Sequence, residues 1–319
     1  MINDKQQELL ESLQALAKQS GLDITDELGK ITEKFENSEK AVAEVWERVE
    51  VARNSGRPRT LDYVNLIFDD FTELHGDRFF GDDPAMIGGI GFINGMAVTV
   101  IGNQKGRNLK ETIDRNGGMS NPEGYRKALR LAKQAEKFHR PVVTFIDTQG
   151  AYPGLAAEER GIGEAIAVNL REFSRLKTPV ICIIIGEGGS GGALGIGVGD
   201  KIYMLENAIY SVISPEGFAS ILLRDSSRAR DAAAMMKITS QEVLDLKVIN
   251  GVIPEPEGGA HCDPAAAAAA IRKRIAADLE DLCRRNPEVL VKYRNKKIRE
   301  SGAFYDDDGG IESSMNPAD

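Results

Sequence analysis

The sequence contains few residues of the kinds that most often carry enzyme chemistry. Its 319 residues include three cysteines, three histidines and one tryptophan. The cysteines, Cys182, Cys262 and Cys283, are odd in number and lack CxxC spacing, which argues against a disulfide framework or a zinc ribbon. We therefore expect free thiols and no metal site on this chain.

Long apolar runs are also absent from the sequence. No segment approaches the roughly 20 apolar residues of a membrane-spanning helix, and the first residues lack the apolar core of a secretory signal. The net charge of -9 disfavours general nucleic-acid binding, although a local basic pocket could still hold a phosphorylated ligand. These features predict a cytoplasmic protein with a small-molecule ligand and no membrane contact.

The chain is rich enough in apolar residues, at 42%, to build one large α/β domain with helical additions. Residues 1–56 are charged and carry apolar residues at helical spacing, such as Leu9, Leu13, Phe35 and Trp46, which predicts a helical arm that covers a core or a neighbouring subunit. We expect the main domain over 57–262, C-terminal helices over 263–300 and a disordered tail over 301–319.

Short apolar runs alternate with helical patterns in the main domain. Met86–Ile93 and Ala97–Ile101 flank the turn dipeptide Asn94-Gly95 and predict a hairpin. Strand–helix–strand alternation after that hairpin predicts a parallel sheet. The predicted helices are 122–138, 163–176, 215–223, 229–236, 240–246 and one starting at Asp263-Pro264; the predicted strands are 142–146, 180–185, 201–205 and 208–213.

The stretch from Glu187 to Leu194 is dominated by glycine and follows a predicted buried strand. Backbone N–H groups at such a strand-to-helix junction can face a developing negative charge. Loops after neighbouring parallel strands lie side by side, so amides of Gly150 and Ala151 are expected to converge with those of Gly191 and Gly192 on one oxygen. In the alternative interpretation, the glycines only permit a tight turn and close helix packing.

Two other enzyme classes match short motifs here. Gly186 to Gly191 fits GxGxxG, and Glu206 follows at the distance of a ribose-binding acid, although Glu187 would place a carboxylate beside a pyrophosphate. Ser190 also satisfies GxSxG, the nucleophile elbow of hydrolases, for which His261 is the only downstream histidine.

Basic residues gather in two segments. Lys105 and Arg107 lie in the first, and Arg126, Lys127 and Arg130 lie in the second. They are candidates to hold an anionic cofactor or a partner's carboxylate. A solvated helix face is an equally good interpretation of the second segment.

With these segments in view, the chain resembles the alpha subunits of bacterial acetyl-coenzyme A carboxylase carboxyltransferase. The similarity runs from about Arg57 to His261. It is carried by the glycine stretch and by the motifs at 57–63, 106–107, 122–130, 150–154, 158–161, 211–217, 253–256 and 258–261. Three residues depart from the usual family pattern: Asn103 in place of histidine, Gly117 in place of phenylalanine and Gln149 in place of proline.

The resemblance implies a crotonase-like (ClpP/crotonase) α/β fold with repeated ββα units, in which 57–262 is the carboxyltransferase domain. It implies transfer of the carboxyl group from carboxybiotin on a carrier protein to acetyl-coenzyme A, giving malonyl-coenzyme A for fatty-acid synthesis. It also implies an α2β2 assembly with a zinc-containing beta subunit, together with biotin carboxyl carrier protein and biotin carboxylase, the ATP-binding component. The alternative is a non-catalytic scaffold that docks the beta subunit.

The resemblance also assigns site residues. The backbone amides of Gly191 and Gly192, with Gly150 and Ala151, would form an oxyanion hole for one of the two reacting carbonyls, that of biotin. Side chains and backbone that would contact substrate are those of Gly188, Gly189, Tyr152, Pro153 and Arg126. Chemistry of this kind needs no side-chain nucleophile.

Overall fold

The computed structural model describes residues 4–20, 22–301, 304–305 and 311–312. The helices in this part of the chain are α1 Asp4–Gln19, α2 Thr25–Ala52, α3 Thr60–Ile67, α4 Leu109–Asp114, α5 Pro122–Lys137, α6 Leu155–Glu159, α7 Ile162–Arg175, α8 Ser190–Leu194, α9 Pro215–Phe218, α10 Ala229–Met236, α11 Ser240–Asp245, α12 Pro264–Leu282 and α13 Pro287–Arg299. The strands are β1 Asp69–Glu73, β2 Met86–Ile93, β3 Met96–Asn103, β4 Val142–Thr148, β5 Val180–Gly189, β6 Lys201–Leu205, β7 Ile209–Ser211, β8 Gly251–Ile253, β9 Phe304–Tyr305 and β10 Ile311–Glu312.

The chain divides into two compact units. The first comprises Met1–Arg48 and Pro215–Met236, and the second comprises Val49–Ser214 and Lys237–Asp319. Within the first unit, the guanidinium of Arg230 lies 5.7 Å from the centre of the Trp46 ring, which links α10 to α2 by a cation–π contact. The second unit contains the whole sheet.

An eight-stranded sheet organises the second unit, in the order β1-β2-β3-β4-β5-β6-β8, with β7 paired to the far end of β5. The first three strands are antiparallel neighbours, whereas β3 to β8 pair in parallel. Every residue of β4 and β5 is buried, as expected of central parallel strands covered on both faces. The predicted α/β sheet is thus confirmed.

The predicted hairpin is confirmed at its turn. Asn94 and Gly95 both have positive φ, 50° and 78°, and Ile93 pairs with Met96 across a two-residue loop. Asparagine and glycine are the residues that tolerate left-handed backbone in such a turn. The residue types in the turn therefore account for this hairpin.

The strand that carries the glycine stretch is longer than predicted. The pattern placed its end at Ile185, but β5 continues to Gly189 because Glu187, Gly188 and Gly189 pair in parallel with β7. Glycine disfavours strands locally, so this ladder is a tertiary effect. The helix predicted over 215–223 is also interrupted, as α9 is followed by a π-helical turn, Ala219–Leu223.

The C-terminal helices begin where the sequence predicts. The Asp263 side chain accepts the Ala266 amide at 2.9 Å and Pro264 occupies the first turn of α12, so both start signals act together. The division into 1–56, 57–262, 263–300 and 301–319 stays a prediction. Most of the predicted disordered tail lies outside the described residues, and its described residues include those of β9 and β10.

In the part of the chain that the structure describes, no helix combines the length and hydropathy needed to cross a membrane.

A buried arginine attaches α13 to the end of the sheet at which β5 begins. Arg294 is 1% exposed and makes five hydrogen bonds, two to the Asp200 carboxylate and three to the carbonyls of Phe173, Leu176 and Thr178. Asp200 in turn accepts the Val180 amide at 2.8 Å, at the first residue of β5. The guanidinium therefore supplies donors to a buried carboxylate and to three carbonyls at once.

Replacing Arg294 with methionine should lower the free energy of unfolding by about 3–5 kcal/mol, because a buried carboxylate and three carbonyls lose their donor. Urea titration followed by circular dichroism measures this loss. The matched control is Arg285→Met, which removes an exposed pair with Asp281 and should cost about 1 kcal/mol or less. Equal effects of the two substitutions would contradict the assignment.

Candidate functional site

The two loops predicted to converge are in contact. A Cβ atom placed on Gly192 would lie 2.3 Å from the carbonyl carbon of Gly150 and 2.5 Å from the Ala151 nitrogen. A Cβ atom on Gly189 would lie 2.0 Å from the Gln149 oxygen. All three distances are far inside van der Waals contact, so Gly189 and Gly192 are glycine because backbone approaches backbone there.

The Tyr125 side chain helps to hold α8 in this arrangement. Its hydroxyl donates to the Gly192 carbonyl at 3.2 Å, and a Cβ atom on Gly195 would lie 2.6 Å from its ring. Burial raises the pKa of Tyr125 far above its ordinary value, with a smaller contribution from Asp83. The phenol therefore remains a neutral donor that fixes α8.

Three of the four proposed amide donors are without an acceptor among the described residues. Gly191 and Gly192 lie in the first turn of α8, where amides have no intrahelical partner, and neither they nor Ala151 donate to another group in the described chain. The Gly150 amide differs, because it donates to the Thr148 hydroxyl at 3.2 Å. That hydroxyl donates back to the Gly150 carbonyl at 2.6 Å, which fixes the turn.

Packing does not require glycine at two positions of this junction, Gly150 and Gly191. A Cβ atom on Gly150 would meet nothing within 4 Å, and one on Gly191 would approach only Ile166, at 3.7 Å. Neither residue has positive φ. Their missing side chains leave open space beside unpaired amides, which is the geometry that a carbonyl oxygen of a ligand requires.

Ser190 joins β5 to α8 in a strained conformation, with φ of 53°. This resembles a nucleophile elbow, but no side chain in the described part of the chain accepts a hydrogen bond from the Ser190 hydroxyl. His261 lies instead against Asn54, at 3.3 Å between Nε2 and Nδ2, and beside Gly56 and Gly259. No hydrogen bond joins Ser190 to a histidine among the described residues, so the contacts of His261 do not support the hydrolase interpretation.

The dinucleotide interpretation is wrong, for a topological reason. Gly186 and Gly188 lie inside β5 rather than in the turn before a helix. The Glu187 carboxylate between them is committed to ion pairs with Arg53 and Lys105. Glu206, the candidate ribose ligand, accepts the Glu255 amide at 3.2 Å.

Four charged residues that no sequence pattern indicates form a partly buried cluster: Arg53, Lys105, Asp147 and Glu187, of which the two carboxylates are buried. The Lys105 ammonium lies 2.8 Å from Asp147 Oδ1 and 2.9 Å from Glu187 Oε1, and Arg53 Nε lies 2.8 Å from Glu187 Oε2. Burial alone would raise the pKa of Glu187, but Lys105 and Arg53 outweigh it and hold that pKa below its usual value. Burial likewise lowers the pKa of Lys105 less than the two carboxylates raise it.

The other basic candidates also contact acidic or carbonyl groups of this chain. Arg107 pairs with Asp62, Arg126 with Asp77 and Lys127 with Asp82. Arg130 donates to the Gly76 carbonyl at 3.0 Å. These contacts give the basic residues a structural role, so a bound ligand is not needed to explain their presence.

The proposed substrate-contacting residues have different surroundings. Gly188 and Gly189 are buried inside β5, which favours a packing role for both. Tyr152 and Pro153 both lie after β4; Tyr152 is half-buried and its amide donates to the Ser120 carbonyl at 3.0 Å, while Pro153 is exposed. The Arg126 Nε donates to Asp77 at 2.9 Å and its guanidinium lies 5.2 Å from the centre of the Phe79 ring.

The three departures from the family pattern fit their positions. Gly117 has φ of 62°, a left-handed conformation that a phenylalanine would strain. Asn103 is buried and its amide reaches the Ser120 hydroxyl at 3.4 Å, although its own Oδ1 has no partner among the described residues. Gln149 is exposed, and its backbone is what packs on Gly189.

Known proteins resemble this chain in both sequence and structure. The sequence model of the family described as acetyl co-enzyme A carboxylase carboxyltransferase-like matches residues 2–302. The acetyl-coenzyme A carboxylase carboxyl transferase subunit alpha of Treponema denticola is 77% identical over 304 residues, which cover 95% of this chain and 99% of that protein. The subunit of the same name from Staphylococcus haemolyticus is 55% identical over 298 residues, or 92% of this chain and 95% of that protein.

Solved structures with lower identity share the fold. A transcarboxylase 12S structure with methylmalonyl-coenzyme A bound has a TM-score of 0.59 at 20% identity, over 75% of this chain and 44% of that chain. A Pseudomonas malonate decarboxylase hetero-tetramer in complex with coenzyme A has a TM-score of 0.58 at 15% identity, over 73% of this chain and 91% of that chain. The crotonase-like α/β fold is therefore confirmed. Since the family match spans nearly the whole sequence, the chain belongs to the acetyl-coenzyme A carboxylase carboxyltransferase family, among relatives that are alpha subunits.

Proposed function

We propose that this chain, as the alpha subunit of acetyl-coenzyme A carboxylase carboxyltransferase, uses the amides of Gly191, Gly192 and Ala151 to stabilise charge on a carbonyl oxygen. The reaction is transfer of a carboxyl group to acetyl-coenzyme A, which gives malonyl-coenzyme A. The single observation that carries the proposal is the open space over Gly150 and Gly191, next to amides without acceptors among the described residues.

The energetics favour preorganised backbone donors. Negative charge develops on a carbonyl oxygen in the transition state, and one fixed donor at such an oxygen contributes about 2.7–4 kcal/mol. The amides here are fixed by β5, by the contact of Gly192 with Gly150, and by Tyr125. They therefore need no reorganisation during the reaction.

Gly150 has a different role from the other three residues. Because its amide is already bonded to Thr148, its contribution is the space that its missing side chain leaves, and the turn that carries the Ala151 amide. The predicted set of four donors thus becomes three donors and one spacer.

Carboxybiotin, presented on a separate carrier protein, supplies the carboxyl group. The bare surface over Gly150 and Gly191 suits the approach of a planar carbonyl, and we assign it to the biotin carbonyl. The residues of this chain would hold that oxygen and exclude side chains from it.

The assembly belongs to the same proposal. This chain acts with a zinc-containing beta subunit in an α2β2 heterotetramer, in which the beta subunit serves the second carbonyl. Biotin carboxyl carrier protein and biotin carboxylase complete the cytoplasmic enzyme of fatty-acid synthesis.

Replacing Gly191 with alanine should reduce kcat/KM for malonyl-coenzyme A formation by about 100-fold, because the methyl group occupies the space that the carbonyl needs. Fold stability should hold, since that methyl group would lie 3.7 Å from Ile166. The activity is measured on the purified complex with the beta subunit. Full activity of this variant would refute the amide site.

The matched control is Gly163→Ala. Gly163 is likewise the second residue of a helix, and a Cβ atom there would meet nothing within 4 Å. Its activity should equal that of the unsubstituted enzyme, with equal or slightly higher stability. Gly192 is unsuitable for this test, because its substitution would push the two loops apart.

The scaffold alternative makes a different prediction. If this chain only docks the beta subunit, then the beta subunit alone retains the full rate of malonyl-coenzyme A formation at matched concentration. We expect the beta subunit alone to show less than about 1% of that rate, because loss of one oxyanion donor costs about 10²–10³ in rate. Restoration of the rate on adding this chain, but not its Gly191→Ala variant, supports a catalytic role.

A further inference from the structure

The partly buried charge cluster lies immediately before both loops of the site. Asp147 is the penultimate residue of β4, two positions before Gln149, and Glu187 lies in β5 two positions before Gly189. Lys105 comes after β3, the neighbour of β4, and so reaches this edge from a third strand. The cluster therefore joins the chain segments that hold the amide donors.

Backbone pairing does not fix the two strand ends by itself. Regular pairing of β4 with β5 runs to Ile146 and Ile184, and it resumes at Thr148 and Gly188 only after a shift in register. One residue of β4 therefore faces three residues of β5 across the irregular segment. Such irregularities bend a strand and change the direction of the residues after the bend.

Side chains bridge this irregular segment. Asp147 Oδ1 accepts the Glu187 amide at 2.9 Å and the Lys105 ammonium at 2.8 Å, and the same ammonium reaches the Glu187 carboxylate at 2.9 Å. A Cβ atom on Gly186 would lie 2.5 Å from Asp147 Oδ1, so the carboxylate sits against bare backbone. These side-chain contacts thus take the place of the regular β4–β5 pairing that is interrupted here.

We propose that Lys105 is a positioning residue for carboxyl transfer, whose ammonium ties the ends of β4 and β5 together and so sets the distance between the Ala151 and Gly191 amides. This inference rests on the proposed function of those amides. Lys105 acts through Asp147 and Glu187 rather than on the substrate.

The charges around the bridge are balanced. Arg53 and Lys105 face Asp147 and Glu187, and the nearby Arg57 is paired with Glu255. The Tyr63 phenol, whose pKa burial raises, is a further titratable neighbour of Asp147. Removing the lysine charge leaves two buried carboxylates with one cation, and their repulsion drives the strand ends apart.

Lys105→Met should lower kcat by about 100-fold, the cost expected when reacting groups are misplaced by about 1 Å, with little change in KM for acetyl-coenzyme A. An unchanged kcat would overturn the proposal.

A double variant separates positioning from folding. Lys105→Met/Glu187→Gln restores charge balance, so its unfolding midpoint should return close to that of the unsubstituted protein, while kcat stays reduced at least about ten-fold because no cation bridges the strands. Full recovery of kcat would show a purely structural role and overturn the proposal. This variant carries the test if Lys105→Met fails to fold.

Two further comparisons complete the test. Lys127→Met removes another lysine, one that is buried on α5 and paired with Asp82, and should lower stability without lowering kcat. If Gly191→Ala is fully active, the amide site itself is wrong. If Gly191→Ala is impaired while the double variant is fully active, only the role of Lys105 fails.

Discussion

The close approach of two backbones governs this site. Gly192 packs on the Gly150–Ala151 peptide and Gly189 packs on Gln149, at distances that no side chain could share. That contact brings together the segments that follow β4 and β5. It also holds their backbone amides in fixed positions, which is the condition for electrostatic stabilisation by backbone donors.

Much of the fold could be predicted from local sequence. The Asn94-Gly95 turn, the apolar runs of β4 to β6 and the start signals of α12 each act within a few residues, so the pattern alone indicates them. The end of β5 could not be predicted in this way. Its glycines favour a loop locally, and pairing with β7, together with the pairing of Gly188 with Thr148 of β4, makes them part of the sheet.

The loops that form the site could be predicted from the sequence, but the roles of their individual residues could not. Parallel topology predicted that the segments after β4 and β5 would meet. It could not distinguish Gly192, which is required by packing, from Gly191, which faces open space, because the difference lies in neighbours distant in sequence. The link from Lys105 to Asp147 and Glu187 could not be predicted for the same reason, since these partners lie 42 and 82 positions away from it in the sequence.

The internal pairing of Lys105, Arg126 and Lys127 has an electrostatic consequence for the enzyme as a whole. Each of these cations is neutralised by a carboxylate of its own chain, on a protein whose net charge is -9. Because each positive charge is offset within the chain, an anionic ligand would find weak attraction at these three positions.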